Sequence, residues 1–453
     1  MAGRPSGKRV LDVWMNGELV GKWTLAARAG DSFAYEASWL ASPSRRPISL
    51  SMPLTNGTAT ISGSVVSNYF DNLLPDSADI RRRLAQKFGA ASTGSFDVLE
   101  KIGRDCVGSV MLLPAGSAPP NARRIDAEPL TNAQVERLLD GTISPAAPGG
   151  AQDDELRISI AGAQEKTALL WHGGTWCRPL GATPTTHILK LPLGTVGTAQ
   201  ADFSTSVENE WLCGRIAAAY GLPVAPSEIH TFGRHTVLVV ERFDRLVQQD
   251  WIIRLPQEDF CQVLGYPAIN KYETMGGPGM AVILDRLRGS SNALNDRRNF
   301  LAAQLLFWFL AAPDGHAKNF SVFLDRGDAF RMSPLYDILS AWPVVGNGPN
   351  MFQWPKVKLA MAVRTANAHY RMCEIRRRHW NAVAKANALG IDFEDTIQDF
   401  IERTPKVIDA VAAQLPNGFP AEVADRILEG LRTQAAALAG QADEAAGPTS
   451  NPW

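Results

Sequence analysis

The hydrophobic pattern changes period near Pro256, and that change bounds what the chain can build. Before it, β-type segments recur. Residues 167–171 and 175–179 flank Gly173-Gly174, a pair suited to a tight hairpin turn. Residues 186–191 (THILKL) read as a further strand carrying Lys190, and 228–243 read as a hairpin about Gly233-Arg234. Between them, 206–220 read as a helix stopped by Gly221, with Pro223 just beyond. After Pro256 helices dominate, interrupted by one short β-like stretch at 320–332. A β-rich segment followed by a helical one is the order of a two-lobed kinase.

The N-terminal part adds β structure to this plan. Residues 9–25 place two β-rich runs about Asn16-Gly17, a dipeptide that favours a two-residue hairpin. Helical periodicity runs over 67–88. The stretch 114–129 is rich in Pro, Ala and Gly and reads as a connector, as does 141–154. Residues 443–453 are expected to be disordered. No internal repeat is visible. The expected fold is α+β, in four parts: a β-rich N-terminal subdomain (1–113), the remainder of the first lobe (114–255), a mainly helical second lobe (256–442) and a tail (443–453).

Charge and cysteine content remove several function classes. There are 45 Lys+Arg against 46 Asp+Glu, so bulk charge does not suit the chain to grip nucleic acid or anionic membrane. The five cysteines are scattered and never spaced C-x-x-C, which excludes a disulfide framework and a cysteine zinc site. The seven histidines form no H-E-x-x-H pair, and there is no G-x-S-x-G elbow. No apolar leader follows Met1, and the most apolar run, 301–312, is about half the length of a bilayer span. A soluble cytoplasmic protein is expected.

Phosphoryl transfer needs a loop over the phosphates, a strand lysine and metal-binding acids. Residues 314–319 read DGHAKN, so Asp314 and Asn319 share the D-x-x-x-x-N spacing of kinase catalytic loops. A carboxylate there can take a hydroxyl proton, and a neutral amide oxygen suits a hard cation. Tyr336-Asp337 follows one β-like hairpin later and offers a second carboxylate. Taken alone, the six residues also fit a simple turn. Residues 159–167 (SIAGAQEKT) place Gly162 among small residues before a strand, but match neither G-x-x-x-x-G-K-[ST] nor G-x-G-x-x-G. An ordinary polar loop is the other reading. Lys190 is either the phosphate-holding strand lysine or a solvent-facing one. Glu241-Arg242-Phe243 ends a hydrophobic strand, where backbone groups could meet adenine or simply turn outward. The run Arg376-Arg377-Arg378-His379 with Lys385 fits either nucleic-acid phosphates or a solvated helix face.

Together these residues resemble the HipA family, the toxin kinases of type II toxin–antitoxin modules. The segments that carry the likeness include YFDNLLPDS (69–77), DVLEKIGRDCVGSV (97–110), RISIAGAQEKTALL (157–170), VERFDR (240–245), RLPQEDFCQ (254–262), KYETMGGPG (271–279), DGHAKNFSVF (314–323) and PLYDILSA (334–341). The resemblance implies a two-lobed fold similar to protein and phosphoinositide kinases, using ATP and Mg²⁺. Asp314 would be the general base, and Asn319 and Asp337 would bind the metal. Ala161, Gly162, Ala163, Gln164, Glu165 and Lys166 would form the loop over the phosphates, with Lys190 contacting them. Glu241 and Phe243, with Arg242 between them, would line the adenine site through backbone groups, and Gln257 would reach the ribose region. His316 and Lys318 would sit beside the phosphates and Tyr336 would flank the nucleotide. Ser159 would be autophosphorylated, placing negative charge where the nucleotide's phosphates must sit.

The resemblance further implies a protein substrate in translation, foremost an aminoacyl-tRNA synthetase, with growth arrest and persistence as the result. A HipB-like helix-turn-helix antitoxin would hold the chain in check, and operator DNA would be met mainly through that partner. Lys385 matches a DNA-contacting position, but the next such position is Ala388, which is not basic. Two other function classes remain: a catalytically silent co-repressor, and a kinase for a small molecule. Intact Asp314, Asn319, Asp337 and Lys190 speak against the first.

Overall fold

The computed structural model describes residues 7–57, 59–143, 158–162, 164–197 and 199–441. The connector beyond residue 143, Ala163 and the tail from 442 lie outside the described residues. Two compact units emerge, and neither is continuous in sequence. The first comprises Met1–Leu191, His230–Lys271 and Ser321–Phe330; the second comprises Pro192–Ile229, Tyr272–Phe320 and Arg331–Trp453. The expected cut at 255/256 therefore falls inside the first unit.

The two largest sheets among the described residues lie in the first unit. In the five-stranded one, the order is Thr60–Ser62, Gly30–Tyr35, Glu18–Ala26, Arg9–Met15, Val110–Pro114. Asn16 and Gly17 both take positive φ (48° and 89°), as a tight hairpin turn requires. Trp23 stacks on Phe70 at 4.0 Å between ring centroids, and both are buried in the core with Phe33, Tyr35 and Tyr69. The helical periodicity of 67–88 resolves into two helices, Ser64–Asp71 and Ala78–Lys87. Pro75 explains the break, because it lacks an N–H and disfavours helical backbone at the residue before it. The second helix restarts at Ser77, whose hydroxyl accepts the Ile80 N–H.

The second sheet runs Ser227–Phe232, His235–Glu241, His187–Lys190, Lys166–His172, Thr175–Pro179, Ala127–Pro129. Both glycine-centred hairpins stand where the sequence places them. His187–Lys190 is interior to the sheet, with Ile188 opposite both Val240 and Ala168. Beside the sheet lies a buried charge cluster. Arg242 pairs with Asp244 (2.8 Å) and Asp105 (3.3 Å), and Arg245 pairs with Asp105 (2.8 Å) and Asp244 (3.1 Å). Arg254 approaches Asp105 at 3.6 Å. Burial pushes the Asp105 carboxyl up, but Arg245, Arg242 and Arg254 outweigh it and hold it well below the usual carboxylate range. Burial opposes the charge on Arg242 too, yet Asp244 and Asp105 hold its pKa above the ordinary value. Burial and the neighbouring Arg242 push Arg245 down to about 10.

The second unit is mainly helical, with Ser206–Ala219, Ala293–Phe309, Arg377–Ala386, Glu394–Ala412 and Ala421–Ala439 as its longer helices. From Phe300 to Phe309 every residue of the second of these is buried, which is why that stretch is apolar on every face apart from Gln304. Among the described residues no helix is long and apolar enough to cross a membrane.

Two predictions follow from these interiors. Asp105→Asn leaves the buried arginines short of a counter-charge and should cost about 3–5 kcal/mol of stability, read from urea denaturation. In the second unit, His379 stacks on His369 at 3.9 Å. Burial, then His369, Arg378 and Arg376, push the His379 ring down to about 4. The unfolded chain thus takes up this proton first, so stability should fall as pH drops from about 6.5 toward 4. A lower urea midpoint at pH 5 than at pH 7, with a smaller gap in His379→Asn, is the expected result.

Candidate active site

The loop expected over the phosphates is fastened at several points. Ile158–Ser159 forms a two-residue strand parallel to Asp105–Cys106. Ser159 is fully buried (0% exposed), and its hydroxyl donates to the Leu73 carbonyl at 2.7 Å. The Asp76 N–H donates to the Gly162 carbonyl at 3.0 Å, and Arg83 pairs with Glu165. Gln164 Nε2 donates to the Leu191 carbonyl at 2.6 Å. The segment 73–83 is therefore the dock of this loop, a use that its sequence does not announce. Gly162 has φ 112°, and a Cβ there would stand 2.5 Å from Lys166 Nζ. Only glycine suits that backbone, and the Lys166 ammonium folds close over it.

Lys190 ends its strand with 5% exposure, directly opposite Lys166 in the antiparallel register. Opposed residues project from the same face of a sheet, so both lysines rise on one side. That face favours an anion. Glu241 lies exposed at the end of the neighbouring strand. The Arg242 side chain is taken up by the buried charge cluster, so any adenine contact in this segment falls to backbone groups, as expected for it. Phe243 meets Phe323 edge-on at 5.7 Å, and Phe323 is also the ladder partner of Gln257. The structure thus brings Phe243 and Gln257 to one place, beside Gly108, where a Cβ would stand 2.6 Å from the Gln257 carbonyl oxygen.

The acids lie in the second unit. Helix Ala293–Phe309 ends with Ala311 in left-handed backbone (φ 47°) and the Ala312 N–H donating to the Phe307 carbonyl at 2.8 Å. Pro313 and Asp314 follow. Gly315 packs on the Phe307 ring, where a Cβ would stand 2.2 Å from a ring carbon, so packing dictates this glycine. The Asp314 carboxylate is half exposed (47%) and accepts a hydrogen bond from the Tyr272 hydroxyl. His316 Nε2 stands 3.7 Å from it, and Tyr272 meets the His316 ring edge-on at 4.9 Å. Asn319 Nδ2 donates to the Asp314 carbonyl at 2.7 Å, which turns the amide oxygen away from that bond. Lys318 is buried, and its carbonyl accepts from the Tyr336 hydroxyl at 2.9 Å. Asp337 stands next, half-buried, in left-handed backbone at φ 61°.

Among the described residues no group of three or more His, Cys, Asp or Glu forms a metal cage. An amide oxygen and a carboxylate are instead the hard donors that suit Mg²⁺ arriving with phosphates. Asn319 and Asp337 would supply them. Lys385 is exposed on helix Arg377–Ala386. Arg377, expected to help it, pairs with Glu394, and Arg376 donates to the Cys373 carbonyl at 2.8 Å. Sequence reasoning also missed Tyr272, because 42 residues separate it from Asp314 and no spacing rule links them.

Comparison with known proteins agrees along nearly the whole chain. Residues 11–113 match the family model described as the HipA N-terminal domain, and 158–413 match that of the HipA-like C-terminal domain. The Sinorhizobium fredii protein Y4mE is 33% identical over 422 residues, covering 90% of this chain and 97% of that one. The serine/threonine-protein kinase toxin HipA of Shewanella oneidensis is 30% identical over 370 residues, covering 78% of each chain. A solved structure of HipA from Shewanella oneidensis MR-1, in complex with HipB and its operator DNA, shares the fold. Its TM-score is 0.77 at 23% identity, over 96% of this chain and 98% of that one.

The backbone at Asp337 yields a prediction independent of activity. Left-handed backbone penalises any Cβ, so Asp337→Gly should be more stable than Asp337→Ala by about 1 kcal/mol, the reverse of the order inside a helix. Urea midpoints of the two variants test this.

Proposed function

The chain belongs to the HipA family, and from that premise we propose that it is a toxin kinase that phosphorylates serine or threonine on a protein of the translation machinery. An aminoacyl-tRNA synthetase is the proposed class of substrate, and growth arrest the consequence. The observation that carries this reading is the Asp314 carboxylate, reachable from solvent and already hydrogen-bonded to a hydroxyl. A general base must stand within hydrogen-bond reach of the hydroxyl whose proton it takes. Lys190 and Lys166 hold phosphate oxygens from one face of their sheet. Asn319 and Asp337 would hold the metal, which when bound would neutralise charge on the transferred phosphoryl group. A HipB-like helix-turn-helix antitoxin is the proposed partner, with operator DNA reached mainly through it; the engagement of Arg376 and Arg377 elsewhere argues against a broad basic patch around Lys385.

Ser159 is proposed as the site of self-inactivation. Its hydroxyl faces the Leu73 carbonyl in a fully buried seat. A phosphate there would set acceptor against acceptor and bury about two negative charges. The modified strand must leave its dock, and Gly162, Gln164 and Glu165 go with it.

Intact mass after incubation with Mg²⁺ and ATP tests the reading. Wild type should gain one phosphate, mapped to Ser159, whereas Ser159→Ala and Asp314→Asn should gain none. On a protein acceptor, Asp314→Asn should lose activity by about 10²–10⁴-fold, the usual worth of a positioned general base. Wild-type turnover in Asp314→Asn would remove Asp314 from the chemistry.

A further inference from the structure

Three residues beyond Asp337, Ser340 is completely buried (0% exposed) and uses all three of its polar groups. Its N–H donates to Asn209 Oδ1 at 2.9 Å, and its carbonyl accepts from Asn209 Nδ2 at 2.8 Å. Its hydroxyl donates to the Leu310 carbonyl at 2.6 Å. Asn209 is itself buried (1% exposed) on helix Ser206–Ala219. Its amide therefore reads the backbone of residue 340 as a strand would. The Ala341 N–H adds a bond to the Ala311 carbonyl at 3.1 Å.

Those bonds end on residues with known neighbours. Leu310 and Ala311 close the helix that leads through Pro313 to Asp314. On the other side of Asp337, the Leu335 N–H donates to the Pro223 carbonyl (2.8 Å), and the Ala225 N–H donates to the Leu335 carbonyl (2.9 Å). The segment 335–341 is thus pinned at both ends, with Asp337 held in left-handed backbone between the pins. Strained backbone of this kind persists only where its surroundings over-determine it, and it gathers at functional sites. A core that needed only to be filled would be served by apolar side chains at 209 and 340, without two buried polar groups to satisfy.

We infer that Asn209 and Ser340 are positioning residues for the metal–nucleotide complex: they fix the Asp337 carboxylate relative to the loop of Asp314 and Asn319. This rests on the reading of Asp337 and Asn319 as metal ligands. Neither Asn209 nor Ser340 touches the reacting atoms. Their effect passes through the backbone of 337–340 and through the end of the helix before Asp314.

The test is Mn²⁺ binding in the presence of a non-hydrolysable ATP analogue, followed by electron paramagnetic resonance on the full chain. Ser340→Ala removes the bolt to Leu310 together with the acceptor of the Trp342 N–H, and Asn209→Ala removes the amide clamp. Both should weaken Mn²⁺ binding at least 10-fold, whereas Ser340→Thr, which keeps the hydroxyl, should restore it. Metal-free affinity for the analogue should stay unchanged in all three. Autophosphorylation should show the matching split, with a higher Mg²⁺ requirement and much of the rate regained at saturating metal. Should Asn209→Ala fail to fold, Ser340→Ala, the smaller loss, decides the matter. A folded Ser340→Ala chain that binds Mn²⁺ as wild type does overturns the inference. Asp337→Asn is run alongside. If that variant binds Mn²⁺ normally, the metal-ligand reading of Asp337 is what fails, and the inference falls with it.

Discussion

Three arginines, Arg242, Arg245 and Arg254, stay charged in the interior of the first unit only because Asp105 and Asp244 stand among them. An unpaired charge at such depth is far costlier than any single contact around it. Their positions in the chain give the cluster its reach. Asp105 comes from the N-terminal part, Arg242 to Arg245 from the end of a strand of the second sheet, and Arg254 from the strand before Gln257. Charge neutrality therefore ties three remote segments to one spot. Gly108 and Thr185 join the same network, since Asp244 accepts the Gly108 N–H and Asp105 accepts the Thr185 hydroxyl. Glu241, Phe243 and Gln257 inherit their places from it.

The loop 158–166 depends on the same region. Ser159 lies on a strand that pairs with Asp105–Cys106, so the residue that neutralises the arginines also carries the ladder that seats the loop. Segment 73–83 closes the other side through Leu73, Asp76 and Arg83. Stability and site construction are thus one arrangement in this unit. In the second unit the equivalent service is done by neutral bonds. Asn209, Ser340 and the end of the buried helix Ala293–Phe309 hold the two acidic segments without burying a net charge.

Some of this was legible in the order of residues. Asn16-Gly17 and Gly173-Gly174 marked their hairpins, because a tight turn needs positive φ, which glycine and asparagine accept cheaply. The spacing from Asp314 to Asn319 identified the acidic loop, because both ends act within one short turn whose side chain bonds its own backbone. Pro75 was visible, yet the periodicity on either side masked its breaking of the helix. The burial of the Arg242 side chain was not legible, because a sequence does not say which way a strand end points its side chain. Tyr272, Asn209 and Ser340 carried no signal, since each acts on a partner more than 25 residues away.

The sequence by itself determined the alternation of β and helical segments, the local turns, and which residues could perform phosphoryl chemistry. Those properties depend on backbone preference and on side-chain type within a few positions. Only the tertiary structure decided which charges cancel, which backbone is strained at Asp337, and that the Ser159 hydroxyl is spent on Leu73. Burial and long-range hydrogen bonding settle these matters. Their energies arise between segments distant in the chain, where periodicity and spacing carry no information.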